Sequence, residues 1–242
     1  MSEERLAGTR AVVTGAHGGF GQAVTVALAQ RGASVLAIDI DPDIVSWGEQ
    51  LTSTYGGRVV GRCCDLAATT EHELSQLIGP EPLNVLVNAL GIFGRGRLEN
   101  LDRETWAGVI ATNLTAAVAT TAICLPALQA AAWGRVLNLG SSFAARGRPE
   151  STAYSASKAG LMAFTRSLAE ELRNTSVTVN CIAPGATDTP LFRATYPEGA
   201  HRGGEGVPRD LAAPEDIIAP LLFLCSHGAN HITGTTLWMQ GP

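Results

Sequence analysis

Tyr154-Ser155-Ala156-Ser157-Lys158 sets a phenol and an amine four residues apart. On a helix, positions i and i+4 share one face, so Lys158 stands one turn from Tyr154. An ammonium close to a phenol favours the phenolate and is expected to lower the Tyr154 pKa from the ordinary value of about 10. A phenol tuned this way takes a proton from an alcohol, or gives one to a ketone, while a hydride moves to or from a redox cofactor. On most helices a Tyr-x-x-x-Lys pair is no more than a pair of surface neighbours. Here it is joined by Thr14-Gly15-Ala16-His17-Gly18-Gly19-Phe20-Gly21, which directly follows an apolar run. Glycines at 15, 19 and 21 let the backbone turn sharply and approach a ligand without Cβ interference. The helix that follows offers unpaired N–H groups and a positive dipole end to a pyrophosphate.

Asp39 lies 18 residues beyond Gly21, at the end of the next apolar run and followed by Ile40. This is the spacing at which a carboxylate accepts hydrogen bonds from the adenosine ribose hydroxyls. A 2′-phosphate would bring about two negative charges beside that carboxylate. The neighbouring positions His17, Gly18, Ile40 and Asp41 include no Lys or Arg to offset them. NAD is therefore the expected cofactor, ahead of NADP.

These residues need a scaffold, and the chain supplies one by alternating short β-branched runs with longer helical stretches. Strands are expected at Ala11–Thr14, Ser34–Ile40, Arg58–Cys64, Leu83–Asn88, Arg135–Leu139, Val177–Ile182 and Thr236–Met239. Between them helices are expected, at Ile44–Tyr55, Thr70–Ile78, Ala153–Arg173 and Ile217–Cys225 among others. Strand and helix in this alternation imply right-handed crossovers and a single-domain, doubly wound α/β (Rossmann) fold over residues 1–242. Its parallel sheet of about seven strands would be covered on both faces, which suits apolar runs such as Val85-Leu86-Val87. The segment 188–214 is rich in Gly, Pro and mixed charges, too long for a plain connection, and is expected to be a lid over the site.

Composition narrows the partners. The chain has 242 residues, 45% of them hydrophobic and 16% charged, enough for a large core and unlike a disordered chain. A net charge of −5 without basic clusters excludes a nucleic-acid ligand. Five cysteines form no C-x-x-C pair, which fits free thiols in a reducing compartment, and no metal site is expected. No secretory leader is visible in the polar residues Met1 to Arg10, so a cytoplasmic protein is expected. Thr105 to Gly134 carries no charge and has the length of a membrane span. Asn113 and Pro126 within it, and its Ala/Thr-rich character, favour a helix buried in the fold or at a subunit interface, with no membrane partner. Together with the helix at 153–173 it would expose large apolar patches on a monomer, so a homodimer or homotetramer is expected.

With the motifs at Thr14–Gly21 and Tyr154–Lys158, the chain resembles the short-chain dehydrogenase/reductases over essentially its whole length. The resemblance implies further roles. Asp65 and Leu66 stand where that family contacts adenine, and Asn88-Ala89-Leu90-Gly91 replaces its N-N-A-G. Asn113 takes the place of the catalytic-site asparagine, where it would hold a water linking Lys158 to solvent. Ser141 takes the place of the catalytic serine; its gap of 13 to Tyr154 fits the family better than that of Ser142. Pro184 and Gly185, with Thr187 and Thr189 beyond, resemble the stretch that wraps the nicotinamide, and Lys158 is implied to reach the nicotinamide ribose.

The leading expectation is hydride transfer between NAD(H) and a secondary alcohol or ketone, with catalytic residues Asn113, Ser141, Tyr154 and Lys158. An NADPH-dependent ketoreductase of a biosynthetic pathway is the alternative. A non-catalytic dinucleotide-binding sensor is a third reading, opposed by the filled catalytic positions. A hydrolase is excluded by the lack of a G-x-S-x-G elbow. Substrate contacts are expected from residues 143–149 and 191–208, with Arg146 or Arg148 either meeting an anionic substrate or simply solvated.

Overall fold

The computed structural model describes residues 6–196 and 211–239. Seven parallel strands form one sheet in the order β3-β2-β1-β4-β5-β6-β7. They are β1 (Arg10–Thr14), β2 (Ser34–Asp39), β3 (Val59–Cys63), β4 (Val85–Asn88), β5 (Gly134–Leu139), β6 (Val177–Pro184) and β7 (Thr236–Met239). The longer helices are α1 (Gly19–Gln30), α2 (Ile44–Tyr55), α3 (Glu71–Ile78), α4 (Arg103–Ile110), α5 (Ala116–Ala130), α7 (Thr152–Glu171) and α9 (Ile218–Cys225). The four-residue α6 (Phe143–Arg146) and the six-residue α8 (Pro190–Thr195) are too short to show a helical period in the sequence.

Strand alternation divides the core into two layers. Ala11, Val13, Val35, Val85, Val87 and Leu137 face α1, α2 and α9. Val12, Ile38, Leu86, Val136 and Val179 face the side of α3, α5 and α7. The strand order reverses between β1 and β4, where Thr14 pairs with both Ile38 and Asn88. In a doubly wound sheet the crevice beyond the carboxyl ends of the strands at this point is where ligands bind.

The uncharged stretch is one continuous helix, Arg103–Ala130, rather than one running to Gly134. It begins earlier than the uncharged run because the Asp102 carboxylate caps it, accepting from Thr105 N at 2.6 Å. It ends at Ala130 so that the chain can enter β5 at Gly134. Residues Ala111–Thr115 widen into a π-turn centred on Asn113, joining α4 to α5. The helix is long and apolar enough to cross a membrane, with mean hydropathy 1.7, but one face of it packs on the sheet and α7.

Arg135 lies 1% exposed at the start of β5. Its guanidinium donates to Gly134 O at 2.8 Å, to Ser226 O at 3.2 Å and to Asn230 Oδ1, and sits over the Trp133 ring. Burial holds its pKa below the usual value. It ties the end of α9 to the sheet. Arg135→Ala removes these bonds and strands buried carbonyl oxygens, so we expect a loss of about 2–4 kcal/mol, read from the urea midpoint at unchanged m-value.

Candidate active site

The turn after β1 is built so that only glycine fits. Gly15 has φ +63°, and a Cβ there would lie 2.9 Å from the main chain of Ala89 and Leu90. A Cβ on Gly21 would meet Gly15 O at 1.9 Å, and one on Gly19 would meet the Thr189 side chain at 2.8 Å. Gly15 thus sits against the end of β4, where Ala89 N donates to Thr14 O at 3.1 Å. Gly18 caps α1 without a side-chain hydrogen bond, which leaves the first-turn amides facing the crevice. A cradle of this kind, at a helix N-terminus with positive dipole, fits a pyrophosphate.

At the far edge of the turn, Asp39 Oδ2 accepts from His17 N at 2.8 Å and Oδ1 accepts from Asp41 N at 3.0 Å. The His17 ring turns away from the crevice, hydrogen-bonded to Asp41 at 2.9 Å and packed on Trp47. Hydrogen bonds from Asp43 and His17 hold the Asp41 carboxyl below its usual pKa. Ile40 is 65% exposed beside this carboxylate pair. Asp65 is exposed too, but the Leu66 side chain is buried in the core, so only its main chain is available to a ligand.

Three of the four catalytic candidates, Ser141, Tyr154 and Lys158, line one cleft together with Gly18, Gly19, Phe20, Ala89, Leu90, Gly185, Thr187 and Thr189. Ser141, not Ser142, acts on the Tyr154 phenol, drawing its pKa down, and its Oγ accepts from Phe143 N at 3.2 Å. Ser142 is fixed instead by its amide, which donates to Pro184 O at 2.9 Å. Pro184 ends β6 and Thr187 closes back onto Gly185 O at 3.2 Å. Thr189 caps α8 by accepting from Phe192 N at 3.1 Å.

Lys158, 3% exposed, donates to Leu90 O and to Leu139 O, each at 2.9 Å. Burial lowers its pKa to about 8. Its Nζ lies 6.0 Å from the centre of the Tyr154 ring. The expected lowering of the Tyr154 pKa is not what the site shows. Burial raises the phenol above its ordinary value, outweighing the Ser141 hydrogen bond. Helical spacing puts the two residues on one face, but the ammonium reaches for two carbonyls rather than for the phenol.

Asn113 also differs from the expectation of a water holder next to Lys158, as far as its side chain goes. Its Oδ1 accepts from Ile92 N at 2.8 Å, and its Nδ2 donates to Ile92 O and Ser157 Oγ, each at 3.0 Å. It braces the loop after β4 against α7. Asn88 Nδ2 donates to Thr121 Oγ1 at 3.0 Å and to Asn138 Oδ1 at 2.8 Å, supporting the switch point from beneath.

The segment expected as a lid is tied at its neck: Asp188 N donates to Ala212 O and Ala212 N to Ala186 O. Its middle, 197–210, lies outside the described residues. Phe93 and Arg95 stand at the cleft or against its wall without having been singled out in the sequence, whereas Tyr196, also in the lining, falls in the 191–208 segment expected to contact substrate. For Phe93 and Arg95 the available clue was topological, since a loop leaving β4 at the switch point must border the crevice. A direct test of the raised phenol is an absorbance titration of cofactor-free protein. The tyrosine missing from Tyr154→Phe should titrate above 10; a midpoint below 9 would contradict the burial effect.

The sequence model of the family described as short chain dehydrogenase matches residues 9–199. A 3-oxoacyl-[acyl-carrier-protein] reductase of Pseudomonas aeruginosa is 36% identical, over 98% of this chain and 97% of the relative. A D-beta-hydroxybutyrate dehydrogenase of Cupriavidus necator is 30% identical, covering 98% of each. A solved structure from Beutenbergia cavernae with bound NADP at low occupancy superposes with TM-score 0.89 at 31% identity, over 98% of this chain and 96% of that one. The chain belongs to the short chain dehydrogenase family and is an NAD(P)-dependent oxidoreductase acting between alcohols and ketones.

Proposed function

We propose that this enzyme interconverts a secondary alcohol and a ketone with NAD(H) in preference to NADP(H), using Tyr154 as general acid and base. Asp39 carries the cofactor preference. Its carboxylate is fixed by two main-chain amides, stands beside a second carboxylate at Asp41, and would repel a 2′-phosphate. The second reading, an NADPH-dependent ketoreductase, is favoured by the reductase of Pseudomonas aeruginosa and by the NADP in the Beutenbergia cavernae structure.

When bound, a nicotinamide dinucleotide supplies the hydride for ketone reduction or accepts it from the alcohol. The residues that would hold it are the turn Gly15–Gly21, Asp39, the main chain at Leu66 and Ala89–Leu90, and Pro184–Thr189. Tyr154, protonated near neutrality, gives its proton to the ketone oxygen as the carbon gains the hydride, and takes it back in the reverse direction. The Ser141 hydroxyl, in the same cleft lining as Tyr154, orients the same substrate oxygen. Two of the three Lys158 donors are engaged, and the third is free for the cofactor ribose. The ammonium charge favours the phenolate left after donation. Asn113 acts as a positioning residue through Ile92 and Ser157.

Three buried free thiols, at Cys124, Cys181 and Cys225, support a reducing, cytoplasmic setting. The partly uncovered Arg103–Ala130 helix, and exposed Phe223, Leu237 and Trp238, support self-association into a dimer or tetramer.

NADH should bind at least tenfold more tightly than NADPH, a gap of about 1.4 kcal/mol, by nicotinamide fluorescence. Asp39→Ala should erase the gap, and an unchanged preference would overturn the assignment. Tyr154→Phe should lose about 10²–10⁴ in kcat. Because Lys158 is charged only below about 8, kcat/KM for ketone reduction should fall as pH rises through that value.

A further inference from the structure

Aromatic side chains are scarce in this chain, with six Phe and three Tyr, yet four of the phenylalanines and two of the tyrosines line one cleft. The Phe93 ring lies 4.7 Å from that of Tyr154 at 34°, and Phe192 lies 4.9 Å from Tyr196 at 43°. These two tilted pairs meet edge-on through Phe93 and Tyr196 at 6.2 Å. Phe143 closes the corner, edge-on to both Phe93 and Tyr154.

The walls are braced from behind. Arg148 sits over the rings of Tyr196 and Phe143, at 4.5 and 5.2 Å, and Arg95 over Tyr196 at 5.6 Å. Arg95 also pairs with Glu150 at 2.7 Å and donates to Thr195 O at 3.2 Å. Glu150 is held at φ +62°, a left-handed conformation unusual for a side chain of its kind. Tyr196 is only 5% exposed, so its ring is set in place rather than free to swing aside. Among the described residues lining the cleft, Lys158 is the only charged one, and it is committed to two carbonyls.

We propose that the substrate is an uncharged ketone or alcohol bearing an aromatic ring, held against Phe93, Phe143, Phe192 and Tyr196 while its oxygen meets Tyr154. Aromatic faces and edges attract another aromatic ring beyond its buried area, whereas a saturated ring of equal size gains only the area. Among the described residues of this lining, a carboxylate or phosphate would meet no cation besides Lys158. The proposal rests on reading the cleft as the site of ketone reduction.

The test compares 2-tetralone with 2-decalone, which share a bicyclic skeleton and an unconjugated ketone but differ in one aromatic ring. Both the dissociation constant from the enzyme–NAD complex, by calorimetry, and kcat/KM with NADH are measured. Binding of 2-tetralone should be at least fivefold tighter, and Phe93→Leu or Phe192→Leu should reduce that ratio to within twofold. Equal binding of the two ketones, or tighter binding of the saturated one, would overturn the aromatic site while turnover of either would leave ketone reduction standing. Preferential binding of 2-tetralone without turnover of either would keep the aromatic site and count against the reaction. Binding of neither would overturn the proposal.

Discussion

The ammonium of Lys158 is the interaction on which the geometry of the site depends. Burying a cation costs several kcal/mol unless its protons are satisfied. Here the cost is offset by Leu90 O and Leu139 O, carbonyls just past β4 and at the end of β5. One side chain from α7 thus ties the main chain just past β4 to the end of β5 at the edge of the cleft. The lowered pKa of Lys158 is the residual of that imbalance. A third proton, left without a carbonyl, makes the cavity better suited to a hydroxylated ligand than to an empty space. Tyr154 is carried on the same helix, so it is positioned by the same anchor.

Support for this anchor comes from polar groups that the core would otherwise exclude. Thr121, Asn88, Asn138 and Thr165 form a buried chain of hydrogen bonds across β4 and β5. Asn113 does the same for the loop after β4, and the π-turn around it lets its amide reach both Ile92 and Ser157. Wider turns of this sort inside helices tend to mark functional places. Apolar residues of similar volume would pack as well but would not hold main-chain atoms at defined hydrogen-bond distances. The active site is therefore rigid where it rests on the sheet.

The doubly wound parallel sheet and its covering helices were legible because strands buried on both faces read as unbroken apolar runs, and the phosphate turn sits between a strand and a helix. The choice of Ser141 over Ser142 rested on the gap to Tyr154 usual in the resembled family, and Ser141 lines the cleft with that phenol. What spacing could not show was the direction a side chain takes. Lys158 shares a face with Tyr154 but reaches for carbonyls, His17 folds onto Trp47, and Leu66 turns into the core. Arg135 gave no sign of burial, since a charged residue opening a strand ordinarily faces water. Phe93 lies in a loop without periodicity, where only three-dimensional proximity discloses its part in the cleft wall.

On the proposed reading, the preference for NAD turns on a small region with a consistent electrostatic design. Asp39 and Asp41 place two carboxylates at the end of β2, and main-chain amides and His17 fix their orientations. Fixed carboxylates cannot move aside for a phosphate, so the cost of admitting one is not relieved by a change of rotamer. The ribose hydroxyls of NAD, by contrast, are donors that such carboxylates accept. A solved structure of similar backbone holds NADP, so the backbone by itself does not exclude the 2′-phosphate. Discrimination therefore resides in the side chains after β2 and in the turn. In this chain, glycine at 18 and aspartate at 39 and 41 leave that corner without the Lys or Arg that a 2′-phosphate would require.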